Sequence, residues 1–275
     1  MSRPKPKKRR FNKLIKALII GVLSIFLLFF LFFGSVYFGL WGKIQTKTEL
    51  SEIQQSEATE ILDFEGRIID KIYKYNRQSV SYSEFPEHLV KALVSTEDAR
   101  FYEHDGVDNY SLLRVFFKTI LSGDKSSGGG STITQQLVKN IYGRKSYGFM
   151  SLPVNKLKES IVAKRIEEIY SKEEILELYL NTVPFSGNTY GVESAAQLFF
   201  NKTTSELNLQ EAATLVGTLK ANHSYNPRLF PERSQLRRDV VLTQMQKYGH
   251  LSTEAADQAM SESIELDISD TNTFQ

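Results

Sequence analysis

A basic tail followed by a long uncharged stretch restricts the fold of this chain more than any other feature. The first 16 residues contain eight Lys or Arg and no acid, and residues Ala17 to Gly42 carry no charge. This stretch exceeds the roughly 20 residues that cross a bilayer as a helix. We therefore predict a transmembrane helix over residues 17–42, with the tail, residues 1–16, in the cytoplasm and the rest of the chain outside.

The main alternative for this stretch is a cleaved signal peptide. The apolar region of such a peptide spans only about 7 to 15 residues and precedes a small-residue cleavage point. Here the stretch is longer, with Tyr37, Trp41 and Lys43 at its end, which are residue types that anchor a helix at the membrane interface. We therefore expect a retained anchor and a single-pass protein of the cell membrane.

Charge and cysteine content exclude other classes of protein. Without the eight cations of the tail, the net charge of +2 for the whole chain becomes −6 for the remainder. A nucleic-acid-binding protein would need a basic domain, so we expect no nucleic acid partner. The chain has no cysteine, and an exported domain would therefore be stabilised by packing without disulfides.

The region beyond the apolar stretch divides into a polar stalk (43–59), a domain (60–260) and an acidic tail (261–275). A short hairpin is expected over residues 61–72, with its turn at Glu65-Gly66. Helical periodicity then dominates, with N-caps expected at Ser171 and Ser252. The predicted helices are 86–102, 110–122, 131–142, 155–170, 172–182, 190–200, 208–220, 233–248 and 252–261, so the fold class is mainly α.

Two glutamates fall on apolar helix faces. At about 100° per residue, Glu97 shares an arc with Leu93 and Phe101, and Glu159 shares an arc with Val162 and Ile166. A carboxylate on such a face is a candidate proton acceptor or an ion-pair partner. For either position alone, the simpler explanation is a structural glutamate paired with an arginine, or a side chain that reaches water at the end of the stripe.

A glycine-rich segment, GGGSTITQQLVKN at residues 128–140, precedes one of the predicted helices. Its glycines and the following Ser131 and Thr132 can present backbone N–H groups to an anion at the helix start. A flexible loop ended by an N-cap explains the segment equally well. The spacing does not match a Walker motif, and the scattered histidines do not favour a His-based metal site.

Five motifs occur in a fixed order along the chain. They are EDxxFxxHxG at 97–106, GGSTITQQxxKN at 129–140, RKxxE ending at Glu159, SKxEILExYLN at 171–181 and RRxxVLxxM at 237–245. Together they resemble the peptidoglycan glycosyltransferases of family 51, and most closely the monofunctional form that lacks a penicillin-binding domain. The resemblance covers about residues 61–259.

The resemblance implies a lysozyme-like helical domain with a small membrane-proximal jaw that carries an apolar patch. It implies polymerisation of lipid II into β-1,4-linked glycan strands with release of undecaprenyl pyrophosphate. Glu97 would be the general base, and Glu159 would orient cations or hold a divalent metal, Mg²⁺ or Mn²⁺, at the leaving group. The residues implied in substrate binding are Asp98, Phe101, His104, Ser131, Thr132, Gln135, Gln136, Lys139, Asn140, Lys156, Arg237 and Arg238. The implied partners are lipid II, the growing lipid-linked glycan chain, the cell membrane and cell-wall synthesis proteins.

One departure from the family pattern concerns the third motif, where Asn155 replaces the expected arginine. Binding of the pyrophosphate would weaken unless the missing arginine is replaced in this role by Arg144, Lys145 or Lys158. Two rival functions therefore stay open at this point. One is a lysozyme-like enzyme that cleaves glycans, and the other is a scaffold that has kept the fold and lost turnover.

Overall fold

The computed structural model describes residues 8–53, 59–62, 68–72, 78–122 and 129–268, and the helices dominate among them. Two short antiparallel hairpins complete the regular structure. The helices are α1 (Lys8–Tyr37), α2 (Lys47–Leu50), α3 (Glu87–Glu97), α4 (Asn109–Ser122), α5 (Ile133–Tyr142), α6 (Ser151–Glu167), α7 (Lys172–Thr182), α8 (Val192–Phe200), α9 (Leu209–Thr218), α10 (Pro231–Lys247) and α11 (Thr253–Ser261). The strands are β1 (Thr59–Leu62), β2 (Ile68–Ile72), β3 (Pro184–Ser186) and β4 (Thr189–Tyr190).

The mainly α fold class is confirmed, and the expected caps set several helix starts. Ser171 forms a capping box with Glu174 at α7, which covers the predicted range 172–182, and Ser252 accepts a backbone hydrogen bond at the start of α11. The predicted hairpin is present as the pair β1–β2. Its expected turn at Glu65-Gly66 lies outside the described residues, as do residues 126–128 and 269–275.

The predicted helix 86–102 is wrong at its C-terminal end. Helix α3 stops at Glu97, because Asp98 adopts a non-helical backbone with φ −157° and ψ 73°. Phe101 belongs to a separate 3₁₀ turn, Phe101–Glu103. Glu97 therefore stands at the end of its helix, where a side chain can reach a cleft.

Helix α1 contains an apolar segment, Ile15–Tyr37, that is long enough to cross a membrane. None of its most apolar 18-residue window is buried within the protein, so this is not the core helix of a globular domain. The helix ends at Tyr37, earlier than the predicted residue 42, and Gly39 and Gly42 adopt positive φ in the turn that follows. Such an exposed apolar helix needs a lipid environment.

Residues 43–53 pack on the domain. Ile44 and Leu50 are buried in the hydrophobic core. The Arg165 guanidinium donates to the carbonyl of Gln45 at 2.5 Å, and the Tyr170 hydroxyl donates to that of Leu50 at 2.7 Å. The described part of the expected stalk is therefore held against α6 and the residues that follow it.

Two groups of helices surround the cleft of the domain. Helix α3 packs against α9 and α10, and α5 packs against α6 and α7. The groups are joined where Asp98, just after α3, accepts a hydrogen bond from the backbone N–H of Ile133, the first residue of α5, at 3.0 Å. The start of a helix carries partial positive charge, so a carboxylate stabilises it.

The glycine of the first motif permits close contact with α6. Gly106 has φ +84°, and a Cβ at this position would lie 2.7 Å from the carbonyl carbon of Ala163 and 2.9 Å from the nitrogen of Lys164. Its own carbonyl accepts a hydrogen bond from the Thr132 hydroxyl at 2.7 Å. Only glycine satisfies both the backbone conformation and this approach.

We predict that Gly106→Ala lowers the free energy of unfolding by roughly 2–5 kcal/mol, since left-handed backbone strain and a steric clash add together. Gly249→Ala is the matched control, because Gly249 has φ +76° and no atom within 4 Å of the added Cβ. The control should lose only about 1–2 kcal/mol. Denaturant unfolding of both variants in detergent, followed by circular dichroism, measures the difference. Equal losses would contradict the packing argument.

Candidate active site

A cleft of about 970 Å³ lies between the end of α3, helices α5 and α6, and one face of α10. Cationic side chains outnumber carboxylates along it in the described part of the chain. The cations are Arg100, Arg114, Lys139, Arg144, Lys156, Lys220, Arg237 and Lys247, and the acids are Glu97, Asp98, Asp108 and Glu159. This excess of positive charge favours an anionic ligand.

Glu97 is held by a neutral hydrogen-bond network. Its Oε2 accepts from the Gln136 side-chain amide at 2.8 Å, and Gln136 in turn accepts from the Tyr179 hydroxyl at 3.2 Å. Burial raises the pKa of Tyr179 well above its usual value, with the charge of Glu97 as a second cause, so the hydroxyl keeps its proton. The carboxylate is thereby oriented without a salt bridge among the described residues.

Glu159 has the opposite environment. It is 3% exposed, and Arg144 binds it with two hydrogen bonds, Nε to Oε1 at 2.7 Å and Nη2 to Oε2 at 3.2 Å. The Lys156 ammonium lies 2.7 Å from Oε2 and also donates to the Ser131 hydroxyl at 2.7 Å. A carboxylate held this way fixes the two cations in place. Glu159 therefore has the ion-pair role that was one of the alternatives for a glutamate on an apolar helix face.

Lys139 lies within electrostatic reach of both glutamates. Loss of hydration and the nearby Arg144 guanidinium lower the pKa of Lys139, while the charges of Glu159 and Glu97 partly offset them. The Lys139 ammonium therefore loses its proton at a lower pH than an ordinary lysine.

Three backbone N–H groups at the start of α5 are already bonded within the protein. The N–H of Thr132 donates to Gln135 at 3.1 Å, and the N–H of Gln135 donates back to the Thr132 hydroxyl at 3.1 Å. Asp98 already binds the N–H of Ile133. Of the two explanations for the glycine-rich segment, the structure favours the N-cap, and Gln135 also donates to Ser160.

Asn155 forms hydrogen bonds with the backbone of the loop that contains Arg144. Its amide donates to the Lys145 carbonyl at 2.7 Å, and its oxygen accepts from the Lys145 N–H at 3.2 Å. The residue that replaces the family arginine thus fixes the backbone beside Arg144. Of the three expected substitutes, Arg144 lines the cleft and binds Glu159, whereas Lys145 and Lys158 do not line it.

Four predicted binding residues are not brought to the cleft: Phe101, His104, Asn140 and Arg238. Phe101 is fully buried, and Asp98 Oδ2 accepts a hydrogen bond from His104 Nε2 at 3.0 Å. Arg238 is also fully buried and donates to Asp239 and to the carbonyls of Glu262 and Met260. The structure therefore does not bring Arg238 to the cleft, because its guanidinium is bound to Asp239 and to carbonyls at the end of α11 and just after it.

The remaining ten predicted residues line the cleft, together with several that the motifs did not indicate. Arg237, Val240, Gln244 and Lys247 follow each other at helical spacing along one face of α10. Counting residues along α10 at the helical period, starting from Arg237, would have identified the other three as cleft residues. Arg100 and Lys220 had no such signal, since each lies just beyond the end of a helix.

The donor set does not fit a metal ion at Glu159. Both carboxylate oxygens are engaged by Arg144 and Lys156, and the described residues contain no group of three or more His, Cys, Asp or Glu that could hold an ion. Mg²⁺ and Mn²⁺ require several oxygen ligands. Both Glu159 oxygens that the expected metal would need are bound to cations of the protein.

Comparison with known proteins gives one family and several relatives. The transglycosylase family model matches residues 65–246. The chain is 35% identical over 261 residues to penicillin-binding protein 1F of Bacillus subtilis, which covers 95% of this chain and 35% of that protein. It is 37% identical over 235 residues to penicillin-binding protein 1A of Escherichia coli, which covers 84% of this chain and 27% of that protein.

The chain therefore spans about a third or less of the length of these curated relatives. Penicillin-binding protein 1A of Aquifex aeolicus gives the same picture, with 35% identity over 91% of this chain and 34% of that protein. A crystal structure of penicillin-binding protein 1A from Haemophilus influenzae aligns with 79% of this chain and 22% of its own, at 24% identity and a TM-score of 0.46.

Proposed function

The chain belongs to the transglycosylase family, and from this premise we propose that it polymerises lipid II into β-1,4-linked glycan strands. The observation that carries the proposal is the pair of unequal glutamates in one cationic cleft. Glu97 is bound by a neutral amide, and Glu159 is bound by two cations. Such a division suits a reaction that needs a base and a site for an anionic leaving group.

The proposed reaction is a single displacement with inversion at the anomeric carbon. The 4-hydroxyl oxygen of one lipid-linked sugar forms a bond to C1 of another and gives its proton to Glu97. The bond between C1 and the pyrophosphate oxygen breaks, and undecaprenyl pyrophosphate leaves with the electron pair. The α-linked donor thereby becomes a β-linked product.

Glu97 is suited to take the proton because of its place and its partners. It stands at the last residue of α3, partly exposed to the cleft. Its carboxylate is oriented through Oε2 by the neutral amide of Gln136, and no cation of the described residues forms a salt bridge with it. A positioned carboxylate of this kind contributes about 10²–10⁴-fold as a general base.

The cations around Glu159 are suited to the leaving group. Arg144 offers a planar guanidinium, which binds phosphate oxygens through paired hydrogen bonds, and Lys156 bridges Glu159 to Ser131. Lys139 adds a third positive charge within electrostatic reach of both glutamates. Because these groups are preorganised, they stabilise the negative charge that develops on the pyrophosphate without rearranging.

Three side chains along the cleft carry buried polar atoms without hydrogen-bond partners among the described residues. The buried hydroxyls of Ser95 and Thr96 and the Nε of Arg237 have no hydrogen-bond partner in the described part of the chain, and all three residues line the cleft. Buried polar atoms without partners are costly, so a ligand that satisfies them gains affinity.

The membrane anchor places the enzyme where its substrate lies. An undecaprenyl carrier stays in the bilayer, and α1 confines the domain to the same surface. Helix α4 exposes Tyr110, Leu112, Leu113 and Phe117, which supports the expected apolar patch of the jaw. The basic flank before α1 indicates a cytoplasmic N-terminus and a catalytic domain outside. Other cell-wall synthesis proteins would be further partners there.

A glycan-cleaving enzyme is the second candidate. Its lysozyme-like acid could be Glu97, but hydrolysis of a neutral glycan needs no cluster of cations beside the leaving group. The three cations near Glu159 therefore favour a pyrophosphate donor. The same intact cleft argues against a scaffold without turnover.

We predict that the full chain in vesicles extends glycan strands from lipid II and does not shorten preformed peptidoglycan. Glu97→Gln should reduce the initial rate of polymerisation by about 10²–10⁴-fold, since the base is lost while its size is retained. Chromatography of labelled products measures both activities. Breakdown of peptidoglycan by the wild-type chain, with no strand growth, would support the hydrolase and reject the proposal.

We predict that Lys139→Arg extends activity to higher pH. The lowered pKa of Lys139 means that its ammonium, and with it part of the leaving-group stabilisation, is lost as the pH rises through that lowered value. Arginine stays charged throughout this range. The pH at which kcat falls on the alkaline side should therefore be higher in this variant than in the wild type. Lys139→Met should be slower at every pH. Identical alkaline limbs for the wild type and Lys139→Arg would exclude this role of the ammonium.

A further inference from the structure

The turn that follows the membrane helix is clamped by two residues that lie more than 100 positions later in the chain. The backbone carbonyl of Trp41 accepts hydrogen bonds from the Tyr147 hydroxyl and from the Lys158 ammonium, each at 2.7 Å. Lys158 also donates to the Tyr147 hydroxyl at 3.1 Å. The rings of Trp41 and Tyr147 pack edge to face, with 5.8 Å between their centroids.

Trp41 is fixed to the membrane helix on its other side. Its indole N–H donates to the Ser35 hydroxyl at 2.9 Å, and its ring packs against Phe32 at 6.4 Å. Both partners lie in the last two turns of α1. The clamp therefore acts on the end of α1 itself and not on a free linker.

The clamp continues to the glutamate of the leaving-group site. Tyr147 lies in the loop 143–150, three residues after Arg144, and Lys158 directly precedes Glu159 in α6. The Arg144 side chain binds Glu159, and Asn155 binds the loop backbone at Lys145. A short chain of contacts thus joins the anchor to the Arg144–Glu159 pair.

We propose that Tyr147 and Lys158 are positioning residues that set the height of the Arg144–Glu159 pair above the bilayer. The inference rests on the proposed function, because it requires a substrate whose pyrophosphate lies at the membrane surface. The carrier of such a substrate fixes the height of its phosphates. An anchor joined to the Arg144–Glu159 pair therefore holds the pair at the height of these phosphates.

The loop itself has the surface expected of a segment near lipid. Phe149, two residues after Tyr147, is 94% exposed, and Leu152 at the start of α6 is 63% exposed. Phe38 and Leu40, in the turn that the clamp holds, are 82% and 80% exposed. Exposed apolar residues on both sides of the clamp are suited to the interfacial region of a bilayer.

The test compares two substrates for the full chain reconstituted in vesicles. One is lipid II embedded in the bilayer, and the other carries the same sugars and pyrophosphate on a carrier short enough to be soluble in water. The double variant Tyr147→Phe, Lys158→Met removes the hydrogen bonds and keeps most of the packing. On embedded lipid II, kcat/KM should fall on the order of tenfold, as expected for the loss of two or three hydrogen bonds. On the soluble substrate it should stay within about twofold of wild type.

Two control variants separate positioning from a general loss of folding. Lys164→Met removes an exposed charge from the same helix, outside the clamp, and should behave as wild type on both substrates. Lys158→Arg keeps a cationic donor and should restore most of the activity on embedded lipid II. An equal loss on both substrates, or no loss on the embedded one, would overturn the proposal.

A second measurement does not depend on turnover. The chain has no cysteine, so Lys145→Cys gives a unique place for a nitroxide in the loop beside Arg144. Its depth relative to the bilayer, measured by spin relaxation with water-soluble and lipid-soluble agents, should shift or broaden in the double variant and not in Lys164→Met. An unchanged depth in the double variant would overturn the positioning role of Tyr147 and Lys158, even if the chain polymerises lipid II. Failure of the wild type on both substrates would instead reject the proposed function.

Discussion

The ion pairs that hold Glu159 are the interaction on which the rest of the site depends. Arg144 reaches Glu159 from a loop, and Lys156 reaches it from the preceding turn of α6. A carboxylate that is 3% exposed would be costly without these partners. Burial of Glu159 therefore forces the loop and α6 together, and two cations are left at the edge of the cleft, where a pyrophosphate can meet them.

Several motif residues hold the parts of the domain together, whether or not they also line the cleft. Asp98 joins the end of α3 to the start of α5 and also holds His104. Lys172 donates to the His104 carbonyl and pairs with Glu167. These contacts fix where Glu97 projects. The motifs of this chain therefore contain residues that join the two groups of helices as well as residues that line the cleft.

The sequence predicted the features that local rules determine. Helix α7 begins at its Ser171 cap and ends at the expected residue, and the apolar helix was evident from charge alone. The end of α3 at Glu97 was missed, because the non-helical backbone of Asp98 arises from its tertiary bonds to Ile133 and His104. The burial of Arg238 was missed for a similar reason, since periodicity does not show that the segment after α11 covers it.

The two glutamates divide the proposed chemistry, with Glu97 taking the proton and Glu159 organising the cations of the leaving group. Titration of a non-reactive pyrophosphate-sugar donor analogue with Glu97→Gln and Glu159→Gln, in membranes, tests this division most directly. We predict wild-type affinity for Glu97→Gln and an affinity lower by on the order of tenfold for Glu159→Gln, whose cations lose their fixed positions. Equal affinities for the two variants would contradict the division.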